Sequence, residues 1–189
     1  NAGEIRMQGG SITGNLANFG GGIYNQAVML WNEFITGYLG KLAVSGGAIA
    51  GNEAYVMGGG VFNLGEMELS GGRVERNTAP QGGGIVHQNG TTHGMLLRGS
   101  AVVASNTATT GSGVWYNNDG NTWMSMAEGG RVVPPNDVFL ATNLSSVLLT
   151  GPLTGRGTAA QLTPVAYVTN QSVVGAVWAT NLWMVSNYY

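Results

Sequence analysis

The stretch LAVSGGAIAGNEAYVMGGGVFN, Leu42–Asn63, decides how the chain is read. Its landmarks run in order: an apolar pair two residues apart (Leu42, Val44), a Gly pair, a single apolar residue (Ile49), an Asn (Asn52), a Gly triplet, and a second single apolar residue (Val61). The same order recurs upstream in IRMQGGSITGN–LANFGGGIYN, Ile5–Asn25. It recurs downstream in MELSGGRVERN–TAPQGGGIVH, Met67–His87, and in MLLRGSAVVASN–TATTGSGVWY, Met95–Tyr116. A fifth copy, MSMAEGGRVVP, opens at Met124 and then diverges. Gly9, Gly46, Gly71, Gly99 and Gly129 open the first Gly group, and Gly20, Gly58, Gly82 and Gly111 the second. Asn15, Asn52, Asn77 and Asn106 stand between the two groups.

Within each copy the apolar residues alternate with polar or small ones, which is the period of a strand and not of a helix. Three strands per copy, each too short to stand alone, are expected to stack on the equivalent strands of neighbouring copies about 4.8 Å away. Ile, Val, Leu and Met then fill inward columns. Gly supplies the positive φ that sharp corners need, and Asn tolerates the same region. Stacked Asn side chains can also hydrogen-bond one to the next, so Asn15, Asn52, Asn77 and Asn106 are read as a structural turn ladder. The alternative is four unrelated turn asparagines. The pattern predicts an all-β chain, a right-handed single-stranded parallel β-helix of six or seven coils. Residues 1–136 form the repeat coils, with an apolar insertion at 26–41. Residues 137–189 form less regular terminal coils and a C-terminal cap of the same domain, because a stack of coils must cover its exposed edges.

Composition narrows the function classes. Charged residues are only 8% of the chain and the formal net charge is -2, so there is no basic stripe for nucleic acid and no polybasic patch for anionic lipid. Gly is abundant, 33 of 189 residues, but 43% of the chain is hydrophobic, enough apolar surface to build a core. Cys is absent, which removes disulfides, thiolate nucleophiles and Cys-based zinc sites. The longest apolar run, Ala27–Trp31, is too short to cross a bilayer. The start at Asn1 is read as a processed N-terminus or a fragment boundary.

The GGSITGN…GGGIYN pattern resembles the repeats of bacterial surface β-helix proteins, the adhesin-like and polymorphic outer-membrane-type passenger domains. The later NDVFLA…VLLTGPLTG…LTPVAY segment is similar to the region C-terminal to such repeats in spirochaete and gut-bacterial surface proteins. The resemblance spans residues 5–167. It implies secretion or surface display in bacteria, and a role in adhesion or surface architecture. It implies no catalytic residues. The chain departs from the pattern at the 26–41 insertion and at the Trp-rich end.

Three features are left over for contact with partners. If Ile23, Val61, Ile85 and Val114 point inward, alternation sends Tyr24, Phe62, Val86 and Trp115 outward. That is a largely aromatic column able to hold a sugar ring or a protein, or simply to stack for stability. The insertion QAVMLWNEFITGYLGK carries Trp31, Phe34 and Tyr38, and either folds over the flank or meets another molecule. The C-terminal stretch carries Trp178 and Trp183, as a cap or as an assembly surface. Support for chemistry is thin. His87 and His93 lie in one loop region without a carboxylate cluster, and only Asp119 and Asp137 supply aspartates. Glu66, Glu68 and Glu75 read as solvated surface carboxylates. Thr13, Ala50, Glu75 and Val103 are read as sharing one repeat position, so no Thr column is expected to form for ice. No cofactor or metal is expected. The expected function is a structural or adhesive surface module that contacts a host or cell-surface protein or glycan, or copies of itself in a fibre or sheath. The alternative is a polysaccharide lyase or hydrolase on the same scaffold.

Overall fold

Backbone pairing joins residues one repeat apart. The computed structural model describes residues 3–26, 40–88, 94–117, 123–154 and 158–166, with the backbone of 174–176 and 185–187. The first copy forms β1 (Glu4–Met7), β2 (Ser11–Thr13), β3 (Leu16–Phe19) and β4 (Ile23–Asn25). The second forms β5 (Lys41–Val44), β6 (Ala48–Ala50), β7 (Glu53–Met57) and β8 (Val61–Asn63). The third supplies β9 (Glu66–Leu69), β10 (Arg73–Glu75) and β11 (Ile85–Gln88), and the fourth β12 (Met95–Leu97), β13 (Val102–Ala104) and β14 (Val114–Asn117). The later strands are β15 (Met124–Glu128), β16 (Arg131–Val132), β17 (Val138–Leu140), β18 (Val147–Leu153), β19 (Ala160–Pro164), β20 (Val174–Ala176) and β21 (Val185–Asn187). The chain is all-β, and the described residues include no helix.

Each copy deals its strands in turn to the same sheets. The first sheet runs β1-β5-β9-β12-β15-β18-β20, the second β16-β13-β10-β6-β2, and the third β21-β19-β17-β14-β11-β8-β4. Every pairing is parallel, and apart from shifts between β15 and β18 and between β3 and β7 the register follows the repeat: Leu42 sits on Ile5 and Met67, and Met95 on Met67 and Met124. Pairing continues past Asn136, since β17 adds to β14 and β18 to β15. Three strands per copy is not the whole pattern. The segment before the Gly triplet is itself extended, and β3 and β7 form a separate two-stranded sheet. That pairing continues as single bridges through Thr78 and Gln81 to Thr107 and Thr110.

Because register equals repeat, each inward side chain lies on its equivalent in the next copy. The first sheet contributes Leu42, Met67, Met95, Met124 and Val147 as one column and Val44, Leu69, Leu97, Met126 and Leu149 as another. The second contributes Ile49, Val74, Val103 and Val132, and the third Ile23, Val61, Ile85, Val114, Val138 and Leu162. All are buried in one continuous apolar cluster. Each fully buried Leu, Ile, Val or Met side chain is worth about 1.5–3 kcal/mol of transfer free energy. The columns together therefore provide the main stabilisation of an otherwise turn-rich chain.

The turns explain the glycines. In the triplet the turn backbones lie directly on one another: Gly21 N donates to Gly58 O, Gly59 N to Gly82 O, and Gly83 N to Gly111 O. A Cβ on Gly59 would lie 2.5 Å from the carbonyl oxygens of Thr78 and Gly83. The stack ends at Ser112, where Asp137 Oδ1 accepts from the Ser112 amide at 2.8 Å and from its hydroxyl at 3.0 Å. Before each ladder asparagine the chain turns through positive φ, at Gly14 and Gly51, and then at Arg76 and Ser105, both at φ 55. The turn geometry gives two expected outcomes. Gly59→Ala should destabilise by about 2 kcal/mol or more, because two backbones must part. Ser105→Gly should stabilise by about 0.5–1 kcal/mol, because the left-handed conformation costs a side-chain-bearing residue more than the extra freedom of Gly costs in the unfolded chain. Urea titrations measure both, and a neutral Gly59→Ala or a destabilising Ser105→Gly would contradict this account of the turns.

Candidate functional site

The outward column of the third sheet is built as alternation requires. Tyr24, Phe62, Val86, Trp115, Phe139 and Thr163 are successive register partners. It is not an open stripe. Phe62 is 5% and Val86 0% exposed, while Tyr24 is 41% exposed and Trp115 half-buried. The Phe62 ring is stacked on Tyr24, with centroids 5.3 Å apart and planes 8° from parallel, and Phe19 meets it edge-on at 5.2 Å. Val86 lies under the Gly82 turn, where a Cβ on Gly82 would strike its Cγ2. Two neighbouring rings and the Gly82 turn thus cover the centre of the column and leave Tyr24 as its accessible end. Trp31, Phe34, Tyr38, Trp178 and Trp183 lie outside the described residues.

The exposed apolar surface concentrates beside Tyr24. Leu16 and Phe19 on β3 and Tyr55 and Val56 on β7 are all exposed, Tyr55 to 60%. Their strands pair with Leu16 opposite Glu53 and Phe19 opposite Met57, and the register shifts between them. The second copy has one residue more than the first in this segment, EAYVM against LANF. The extra residue is accommodated as a bulge, which re-aims side chains and leaves both Tyr55 and Val56 in solvent. Sequence reading missed this strip. The one-residue difference between copies was the available signal.

Two polar columns run through the interior. In the first, Asn52 Oδ1 accepts from Asn15 N and Nδ2, Asn77 Oδ1 from Asn52 N and Nδ2, and Asn106 Oδ1 from Asn77 N and Nδ2, all at 2.9–3.1 Å. Each Nδ2 of Asn52, Asn77 and Asn106 also donates at 2.9 Å to a carbonyl of the preceding copy, that of Ile12, Ile49 and Val74 respectively. Asn136 adds a fifth member: its Oδ1 accepts from Asn106 N at 2.8 Å, and its Nδ2 turns back to Asn106 O at 2.8 Å. Asn136 escapes a sequence reading because it follows its inward valine by one residue more than its equivalent does, Val132 to Asn136 against Val103 to Asn106. The second column is Asn25, Asn63, His87 and Tyr116, all buried. Asn63 Oδ1 accepts from Asn25 Nδ2 at 2.6 Å, and Asn63 Nδ2 donates to Gly65 O at 2.6 Å and to His87 Nδ1 at 2.8 Å. With Nδ1 accepting, the neutral imidazole carries its proton on Nε2. The Tyr116 ring stacks on it at 5.4 Å. His87 therefore belongs to strand β11 and the interior, not to a loop, because its position is an inward one in the register.

Glu75 is not the solvated carboxylate its sequence suggests: it is buried and paired with Arg73 and with Arg76, whose Nη2 is 2.7 Å from Glu75 Oε1. The other ion pairs lie on the surface. Lys41 Nζ is 2.9 Å from Glu66 Oε1. The hydrogen bond and charge of Glu66 hold the Lys41 ammonium above its ordinary pKa, so the amine stays charged throughout the neutral range. Both partners are more than a third exposed, and solvent screening keeps such a pair's worth small. Among the described residues no three His, Asp or Glu side chains gather as metal ligands, and no helix is long and apolar enough to cross a membrane.

The Asn ladder makes a graded prediction. Asn77→Ala removes a side chain that is 0% exposed and strands its acceptors and donors in the interior, so it should cost about 3 kcal/mol or more. Asn15→Ala, at the exposed end, should cost under about 1 kcal/mol. Equal losses in thermal or urea unfolding would show that the ladder does not act as a buried chain of bonds. Comparison with family models, with curated proteins and with solved structures finds no match.

Proposed function

We propose that the chain is a right-handed, single-stranded parallel β-helix of seven coils, with its C-terminal coils and cap in the same domain. We further propose that it serves as a secreted or surface-displayed structural and adhesive module of a bacterium, akin to the adhesin-like and polymorphic outer-membrane-type repeat proteins. Support for the helix is the cyclic dealing of strands to three parallel sheets, seven of them in the first. Support for the hand is that parallel crossover connections are right-handed in nearly every known case.

The observation that carries the functional reading is the apolar strip at the N-terminal end. Leu16, Phe19, Tyr24, Tyr55 and Val56 are exposed, and four of them stand on the paired strands β3 and β7. Grouped exposed apolar side chains mark contact surfaces. The occupant proposed is a second copy of the chain, strip meeting strip, which gives a self-complementary interface. Light scattering after size exclusion, with negative-stain imaging, tests it. Dimers or longer assemblies should form as concentration rises, and the double substitution Leu16→Lys and Tyr55→Lys should return the chain to monomer. A wild-type chain that stays a monodisperse monomer at its highest soluble concentration would sink the self-assembly.

A further inference from the structure

The outer face of the first sheet differs from the rest of the surface. The chain has 7 Lys+Arg and 9 Asp+Glu, yet six of these side chains gather on this one face as three ion pairs. They are Glu4 with Arg6 at 2.9 Å, Lys41 with Glu66 at 2.9 Å, and Glu68 with Arg98 at 2.8 Å. The three pairs are therefore polar but electrically balanced. A charged polymer gains no long-range attraction from them, whereas a neutral polyhydroxyl chain can use them, because each ionised carboxylate keeps acceptor sites beyond those its cation occupies.

Beside these pairs runs a groove of about 390 Å³. Met95 pairs with both Met67 and Met124, so Glu66, Gly94 and Trp123 occupy one row across three strands. Gly94 has no side chain, which opens a slot between the Glu66 carboxylate and the Trp123 indole, two strand spacings or about 10 Å across. Trp123 is 50% exposed, an unusual state for so large an apolar ring, and stands one residue before β15 at the end of the sheet face. Leu96, half-buried, floors the next row, with Glu68 and Ser125 as its register neighbours. Glu68 also lines an adjoining hollow of about 240 Å³ that extends over Ala43 towards Arg6, so the groove has a path for a linear ligand.

We propose that this face binds a neutral linear polysaccharide. One pyranose lies with its C–H face on the Trp123 indole, and its hydroxyls donate to the carboxylates of Glu66 and Glu68. An apolar platform bordered by a few placed polar groups is the usual make-up of a small-ligand site, and an indole offers a flat apolar face at low entropic cost. The site lies on a different sheet from the apolar strip and does not depend on self-assembly.

The test is calorimetric titration of the whole chain with cellohexaose, maltohexaose and chitohexaose. At least one should bind with a dissociation constant in about the millimolar range or tighter. Trp123→Ala should weaken that binding at least about tenfold and Trp123→Phe much less. Glu68→Gln should weaken it several-fold. Val165→Ala, an exposed apolar residue that follows β19 of the third sheet, should leave it unchanged. Trp123 is half in solvent, so its variants should keep the wild-type circular dichroism. The proposal is overturned if none of the three hexasaccharides binds at on the order of 10 mM, or if Trp123→Ala binds as the wild type does.

Discussion

Parallel, in-register stacking of one backbone turn on the next is the constraint on which the other features depend. When a strand pairs with its own equivalent one copy away, the spacing is set by the N–H to O=C bond and not by side chains. Every position must then tolerate its equivalents at less than 5 Å above and below. Inward positions become columns of Leu, Ile, Val and Met. Where turns lie in contact, a Cβ has nowhere to go: one on Gly21 would lie 2.3 Å from Glu53 O and 2.5 Å from Gly59 O, and one on Gly83 2.4 Å from Thr107 O, all in the next copy. The glycine richness that in another chain would signal disorder is here a packing requirement.

The same constraint gives the interior polar columns their direction. In the Asn15-to-Asn136 ladder each amide NH2 and backbone N–H points to the following copy's Oδ1, so the bonds run one way along the stack. Asn136 closes that end by turning its own amide back to Asn106 O, and Asp137 closes the neighbouring turn stack with a carboxylate. Both closures fall at consecutive residues, where the repeat pattern fades. A column of buried amides is costly unless each member is satisfied. Once satisfied, it fixes register as strongly as the apolar columns do, because a slip by one residue would strand every amide at once.

On the surface, differences between copies carry the information. The apolar strip exists because the second copy has one residue more than the first before its Gly triplet. The groove on the first sheet exists because the row that holds Glu66 in the third copy holds Gly94 in the next and Trp123 after it. A stacked scaffold turns such differences into shape: one substitution in one copy becomes a gap or a wall beside its neighbours.

The amino-acid sequence by itself determined the strand period, the repeat boundaries, the inward columns and the positions of Asn15, Asn52, Asn77 and Asn106. Each is a local pattern repeated at fixed landmarks, and periodic stacking converts such patterns directly into structure. It did not determine which outward residues meet solvent. Phe62 and Val86 point outward by alternation yet are covered, Phe62 by Phe19 and Tyr24 from other strands and Val86 by the Gly82 turn that leads into its own strand. Nor could it place His87 in the interior polar column, or recognise Asn136 as the ladder's last member, since both depend on exact register across copies of unequal length. Only the tertiary structure settles such matters: exposure and pairing are properties of neighbours brought together from distant copies, and a single strand's pattern does not specify its neighbours.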